Sequence, residues 1–80
     1  MSVAELKLNH LPPGRSAVVV AIDSDGLIRN RLLDLGLVPS ARVESVRKSP
    51  AGDPVAYKIR GAVIALRSEE SRQITVRYFT

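Results

Sequence analysis

Few residues in this chain could do covalent or acid–base chemistry. Its 80 residues hold one histidine, His10, no cysteine and eight carboxylates. Catalysis needs a nucleophile beside a base, two positioned carboxylates, or a metal with an open coordination position. His10 lies in a mixed N-terminal segment close to Pro12 and reads as a surface histidine. There is no H-x-x-x-H pair, no calcium-loop spacing of carboxylates and no phosphate-cradling glycine motif. Gly52-Asp53-Pro54 is turn chemistry. Asp23, Asp25 and Asp34 could gather around a hard cation, yet two of them suit helix capping and the third suits pairing with Arg31 one turn away. No catalytic residue, cofactor or metal ligand is assigned, and the chain reads as a binding protein, not an enzyme.

The element best placed to present a binding surface runs from Asp23 to Pro39. Ile28, Leu32 and Leu35 recur at helical spacing, which stacks them on one side of a helix over roughly Leu27 to Leu35. Asp23, Ser24 or Asp25 can cap its first turn, where a negative charge also suits the helix dipole. Gly36 fits a left-handed C′ position, with Leu37 folding back and Pro39 forbidding continuation. Ile28, Leu32 and Leu35 are therefore expected in the core. Leu27, Leu33 and Leu37 form a surplus that one face of a nine-residue helix cannot bury.

The other apolar segments read as strands. Ala17 to Ile22 is a β-branched run expected to be buried on both faces. Ala41 to Arg47 alternates imperfectly, which predicts a bulge, and Lys48 to Pro54 is a loop of turn formers. Val55, Tyr57 and Ile59 alternate with Ala56, Lys58 and Arg60, and Gly61 then supplies the turn into Ala62 to Leu66, making a hairpin. Arg67 to Arg72 suits one helical turn capped by Ser68, and Ile74, Val76 and Tyr78 form a last strand. Residues 1–10 are weakly patterned and read as a capping segment tethered by Leu6, Leu8 and Leu11.

Five short antiparallel strands would leave unpaired edges in a flat sheet, whereas curling resolves this. The fold class is mainly β: a small five-stranded barrel with one short helix between its first and second strands, in a single domain over 1–80. A chain this short buries only about 60% of its unfolded surface. Twelve Lys and Arg, nine of them Arg, against eight Asp and Glu give a formal charge of +4. That balance suits anionic partners but does not select a fold. No apolar run approaches the roughly 20 residues needed to span a bilayer, no signal peptide is recognisable, and the lack of cysteine fits a reducing cytoplasm.

Several anchors occur in a telling order: Leu-Pro-Pro-Gly at 11–14, Val-Ala-Ile at 20–22 and Arg-Leu-Leu-Asp-Leu-Gly-Leu-Val-Pro at 31–39. Gly-Asp-Pro-Val at 52–55, Ile-Arg-Gly at 59–61 and Ile-Ala-Leu-Arg at 64–67 follow. In this the chain resembles the FeoA family, the small cytoplasmic partners of the bacterial ferrous-iron transporter FeoB. The resemblance implies an SH3-like barrel and a role as an accessory or regulator of FeoB in ferrous iron transport. It also implies nominal membership among transition-metal-binding proteins, although no soft-ligand cluster is present to hold iron tightly. Ser40 stands where the family usually has glycine, so the turn there is expected to use a conformation open to a residue with a Cβ.

The expected partner is the cytoplasmic domain of FeoB, with self-association as a second mode and contact with the membrane only through FeoB. The partner-binding residues predicted are Leu27, Arg29, Arg31, Leu33 and Leu37, centred on the Leu33–Leu37 end of the helix. Tyr57 joins them as the one strand aromatic that could line a groove, its place in the Val55–Ile59 row pointing more to the core. Two other readings stand beside this one. One is a nucleic-acid module using Lys58, Arg60, Arg67, Arg72 and Arg77, disfavoured for want of exposed stacking aromatics. The other is the SH3-like regulatory module of a metal-dependent repressor.

Overall fold

In the computed structural model, which describes residues 3–79, six strands and two helices follow one another along the chain. They are β1 (Val3–Lys7), β2 (Ser16–Ile22), α1 (Gly26–Asp34), β3 (Arg42–Lys48), β4 (Val55–Ile59), β5 (Ala62–Leu66), α2 (Ser68–Ser71) and β6 (Ile74–Phe79), with a 3₁₀ turn at Leu8–His10. The strands make one antiparallel sheet in the order β1-β6-β2-β3-β4-β5. The fold is mainly β, as expected, but it has six strands and not five. The extra one is β1, within the segment read as a cap. Its residues lie partly or fully exposed in the order exposed, intermediate, exposed, intermediate, intermediate, so no strong apolar alternation marks it in the sequence. It is a strand because β6 pairs with it, Val3 opposite Phe79 through Lys7 opposite Thr75, a partner at the far end of the chain.

The hairpin of β4 and β5 forms where alternation and turn chemistry agree. Val55, Tyr57 and Ile59 are buried, and Arg60-Gly61 makes the two-residue turn with φ of 52° and 82°. The predicted bulge in β3 falls between Ser45 and Arg47. A second bulge, between Val19 and Ala21, interrupts β2. That strand is not buried on both faces: Ala17, Val19 and Ile22 point into the core while Val18, Val20 and Ala21 are half-buried. α2 starts one residue earlier in register than expected. Arg67 takes the cap position, its N–H donating to Glu70 Oε1 at 3.3 Å, while Ser68 is the first helical residue and donates its N–H to Asp53 Oδ1 at 2.8 Å.

α1 covers the predicted residues within one position, and its end is closed as the sequence suggests. The Gly36 N–H donates to the Leu33 carbonyl at 3.0 Å and the Leu37 N–H to the Leu32 carbonyl at 3.1 Å, with Gly36 at φ 102°. These are the two bonds of a Schellman closure. Folding back carries Leu37 into the core, where it is 0% exposed. The helix is thus pinned at its C-terminal end, through Leu32 and Leu37, and its first turn stands clear of the sheet. Ile28, expected in the core, is 45% exposed for that reason. Leu35 is half-buried.

The turn after α1 contains a departure from expectation. Ser40 adopts φ 76°, the left-handed region, not a conformation that suits its Cβ. Its N–H donates to the Val19 carbonyl at 2.8 Å and Val19 N–H donates to the Ala41 carbonyl at 2.8 Å, so the pairing of this turn with β2 holds the backbone there.

Candidate docking surface

The N-terminal half of α1 is the part of the helix that the core leaves free. Leu27 is 87% exposed, the most exposed large apolar side chain among the described residues, and Ile28 lies next to it. Single exposed aliphatic side chains are ordinary, and Leu27 and Ile28 stand out in being consecutive on one helix turn. Arg29 reaches back so that its guanidinium donates to the Ile22 carbonyl at 3.5 Å, and Arg31 forms an ion pair with Glu70 of α2. Ile28 faces a shallow depression shared with Glu69, Glu70, Arg72 and Gln73. Ile28 thus borders charges of both signs, Glu69, Glu70 and Arg72, with Arg31 paired to Glu70.

Of the predicted binding residues, Leu27, Arg29 and Arg31 are each exposed on α1, with Arg29 turned back to the Ile22 carbonyl and Arg31, in the last turn, paired with Glu70. Leu33 is half-buried against the core. Leu37 and Tyr57 are corrected: both are fully enclosed and neither can touch a partner in the folded state. The Schellman closure explains Leu37, and inward alternation along β4 explains Tyr57. The exposed end of the helix is thus the first turn and not the Leu33–Leu37 end. Ile28, expected in the core, instead lies exposed beside Leu27 in the sequence. Its signal was position, since it sits two residues after Gly26 in a turn that precedes the first core leucine.

The carboxylates have other work. Asp25 occupies the cap position of α1 without a side-chain cap hydrogen bond, and Arg31 pairs with Glu70 instead of Asp34. Asp23 binds across strands: Lys7 Nζ and Thr75 Oγ1 each donate to its Oδ2 at 2.6 Å. The bond from Lys7, then that from Thr75, hold the Asp23 carboxyl below its ordinary pKa of 3.8, against a smaller opposing effect of burial. Burial, the largest influence, pushes the Tyr57 phenol above its ordinary 10.0; its hydroxyl donates a long bond of 3.4 Å to the Leu8 carbonyl. Among the described residues no three His, Cys, Asp or Glu side chains come together to hold a metal ion. With His10 alone and exposed and Asp23 engaged by Lys7 and Thr75, the donor set does not fit a resident transition metal.

The basic stripe expected for nucleic acid is divided by the sheet order. Arg77 sits on β6 and pairs with Glu5 at 2.9 Å, while Lys58 lies on β4, three strands away.

The FeoA domain model matches residues 6–78. The chain belongs to the FeoA family. It is 34% identical over 71 residues to an Fe(2+) transport protein A/Fe(2+) transporter FeoB fusion protein of Porphyromonas gingivalis, a match covering 89% of this chain and 8% of that much longer one. The FeoA protein of Chlorobium tepidum, solved by NMR, superposes with a TM-score of 0.86 at 35% identity, covering 94% of this chain and 71% of its own. The FeoA of Stenotrophomonas maltophilia, a prokaryotic SH3-domain protein crystallised with zinc, superposes at 0.80 with 30% identity, covering 91% of this chain and 95% of its own. The six-stranded sheet is thus the SH3-like fold of an FeoA domain. Membership of this family associates the protein with ferrous iron transport. No helix among the described residues is long and apolar enough to cross a membrane.

Proposed function

We propose that this FeoA-family protein is a non-catalytic, cytoplasmic accessory of a FeoB-type ferrous iron transporter, docking on the transporter's cytoplasmic portion through Leu27, Ile28, Arg29 and Arg31. The observation that carries the reading is the P. gingivalis relative, in which the FeoA-like and FeoB parts share one polypeptide. Fusion supplies a high effective concentration of one part around the other, and separate chains must replace it with an interface. The exposed first turn of α1 supports this surface: it has an aliphatic centre, charges of both signs around it, and no role in closing the core. Leu33 contributes by its exposed side only.

The test is a binding measurement between this protein and the cytoplasmic domain of a FeoB, with and without guanine nucleotide. Association should weaken by about tenfold or more in Leu27→Asp and Ile28→Asp, which corresponds to about 1.4 kcal/mol. Their circular dichroism should match the parent's. No association in either nucleotide state would refute the docking role. Undiminished binding by both variants would refute the surface. Sedimentation of the protein alone shows whether the same turn mediates self-association instead.

A further inference from the structure

β5 is an uncharged, unblunted sheet edge. Its sequence, Ala62-Val63-Ile64-Ala65-Leu66, has no charge and no proline, and its pairing with β4 shows no bulge. Natural edge strands are normally protected by at least one of these devices. On its other side, no strand of the described residues pairs with it.

Which backbone groups it offers follows from the turn. Arg60 and Gly61, both at positive φ, form a two-residue type I′ hairpin loop, so Ile59 and Ala62 make the first hydrogen-bonded pair of the ladder. Antiparallel pairs alternate, and the Lys58–Val63 and Ala56–Ala65 pairs are therefore non-hydrogen-bonded. The N–H and C=O groups of Val63 and Ala65 thus point away from β4, out of the sheet. Neither residue takes part in another backbone bond among the described residues. Val63 is 61% exposed.

Charge decides what the edge would accept. Six Lys and Arg against two Asp and Glu fall between Arg42 and Arg67, so β3, β4, β5 and their loops carry the whole formal charge of +4, the rest of the chain balancing six against six. Lys58 flanks Val63 across the ladder, Arg60 stands in the turn, and Arg67 follows Leu66. Of the two acids, Glu44 lies opposite Lys58, and Asp53 approaches Arg67 no closer than 3.9 Å. A second copy is the wrong occupant. Antiparallel pairing of two β5 strands about Ile64 would set each Arg67 beside the other copy's Arg60-Gly61 turn, and apposed like charges oppose strand pairing.

We propose that β5 accepts an extended acidic segment of a partner protein as a seventh strand, hydrogen-bonded through Val63 and Ala65, with its carboxylates directed at Lys58, Arg60 and Arg67. Backbone bonds supply the adhesion in such strand addition and side-chain charge supplies the selection. The surface is separate from α1 and does not depend on the docking role assigned to that helix.

The probe is an acetylated, amidated peptide of alternating valine and glutamate, about ten residues long, titrated into the ¹⁵N-labelled full chain. Binding should shift the amides of β5 and slow hydrogen exchange at Val63 and Ala65. The same peptide with lysine for glutamate should bind at least about tenfold more weakly. Val63→Pro removes an outward N–H without removing a rung to β4, and should abolish the exchange protection at Ala65. Lys58→Glu combined with Arg67→Glu leaves the backbone intact and should reverse the preference between the two peptides, which decides the matter even where the proline variant fails to fold. Equal binding of both peptides, shifts centred on α1, or no shifts at millimolar peptide would each overturn the proposal. Concentration-dependent protection of Val63 and Ala65 without peptide would overturn the acidic occupant in favour of a second copy.

Discussion

Ser40 and Gly36 show how much of this small domain depends on the backbone angles of single residues. Both take positive φ in the segment that leads from α1 back to the sheet, and only one of them is glycine. Left-handed φ costs a residue with a Cβ roughly 1–2 kcal/mol. Ser40→Gly should therefore stabilise the fold by up to about 1 kcal/mol once the greater freedom of glycine in the unfolded chain is subtracted. Thermal unfolding would register that as a Tm rise of up to about 4–8 °C. Gly36→Ala should do the opposite and by more. A Cβ there would stand 3.1 Å from Ile59 Cγ2, and the φ of 102° is itself strained for alanine. A loss of at least about 1–2 kcal/mol by denaturant unfolding is expected, and an unchanged midpoint would show that the turn relaxes to another conformation.

At the scale of the element, α1 is a helix held at one end. Its C-terminal end closes on Gly36 and delivers Leu37 to the core, while its first turn projects Leu27 and Ile28 outward. Substitution along the helix should then sort by position and not by residue type. Leu37→Asp puts an unpaired charge in a sealed interior and should leave no cooperative unfolding transition, since a chain of this length has only about 4–12 kcal/mol to lose. Leu27→Asp should change the unfolding free energy by less than about 0.5 kcal/mol. Urea melts of the two variants test the assignment, and comparable destabilisation would contradict it. The same logic separates β4 from β5. Tyr57 and its row face inward, whereas β5 keeps only Leu66 fully buried and turns Val63 to solvent.

At the scale of the whole molecule, the first and last strands are joined through side chains as well as through their backbones. Lys7 of β1, Asp23 just past β2 and Thr75 of β6 form one hydrogen-bonded cluster at the end of three neighbouring strands. The Asp23 carboxyl has a lower pKa folded than unfolded, so its contribution to stability is complete above its ordinary value of 3.8 and is lost as pH falls through the folded value. Acid titration of stability should show this below about pH 4, and Asp23→Asn should flatten that limb. With Lys7 and Asp23 both more than two-fifths exposed, the effect should stay below about 1 kcal/mol and shrink in high salt. An acid limb identical in the two proteins would mean that the cluster does not hold β1 in place. Charge is also arranged at this scale, gathered on the side of the sheet that ends in β5.

Features that depend on neighbours along the chain were legible before folding. Alternation marked β4, two residues of turn chemistry marked the hairpin, a broken alternation marked the β3 bulge, and Gly36 with Pro39 marked the end of α1. Those signals are local because hydrogen bonds one turn or one hairpin apart are fixed by the residues between them. Ordered anchors from Leu11 to Arg67 also carried the family. The rest depended on contacts between distant parts of the chain. β1 has no pattern of its own and becomes a strand through β6, its partner about 70 residues along the chain. The leucines of α1 could be counted as too many for one face, but which of them reached water depended on where the helix was pinned. That was settled by the core, which took Leu37 and left Ile28 and Leu27 outside, because packing selects by position in space and periodicity sees only position along the helix.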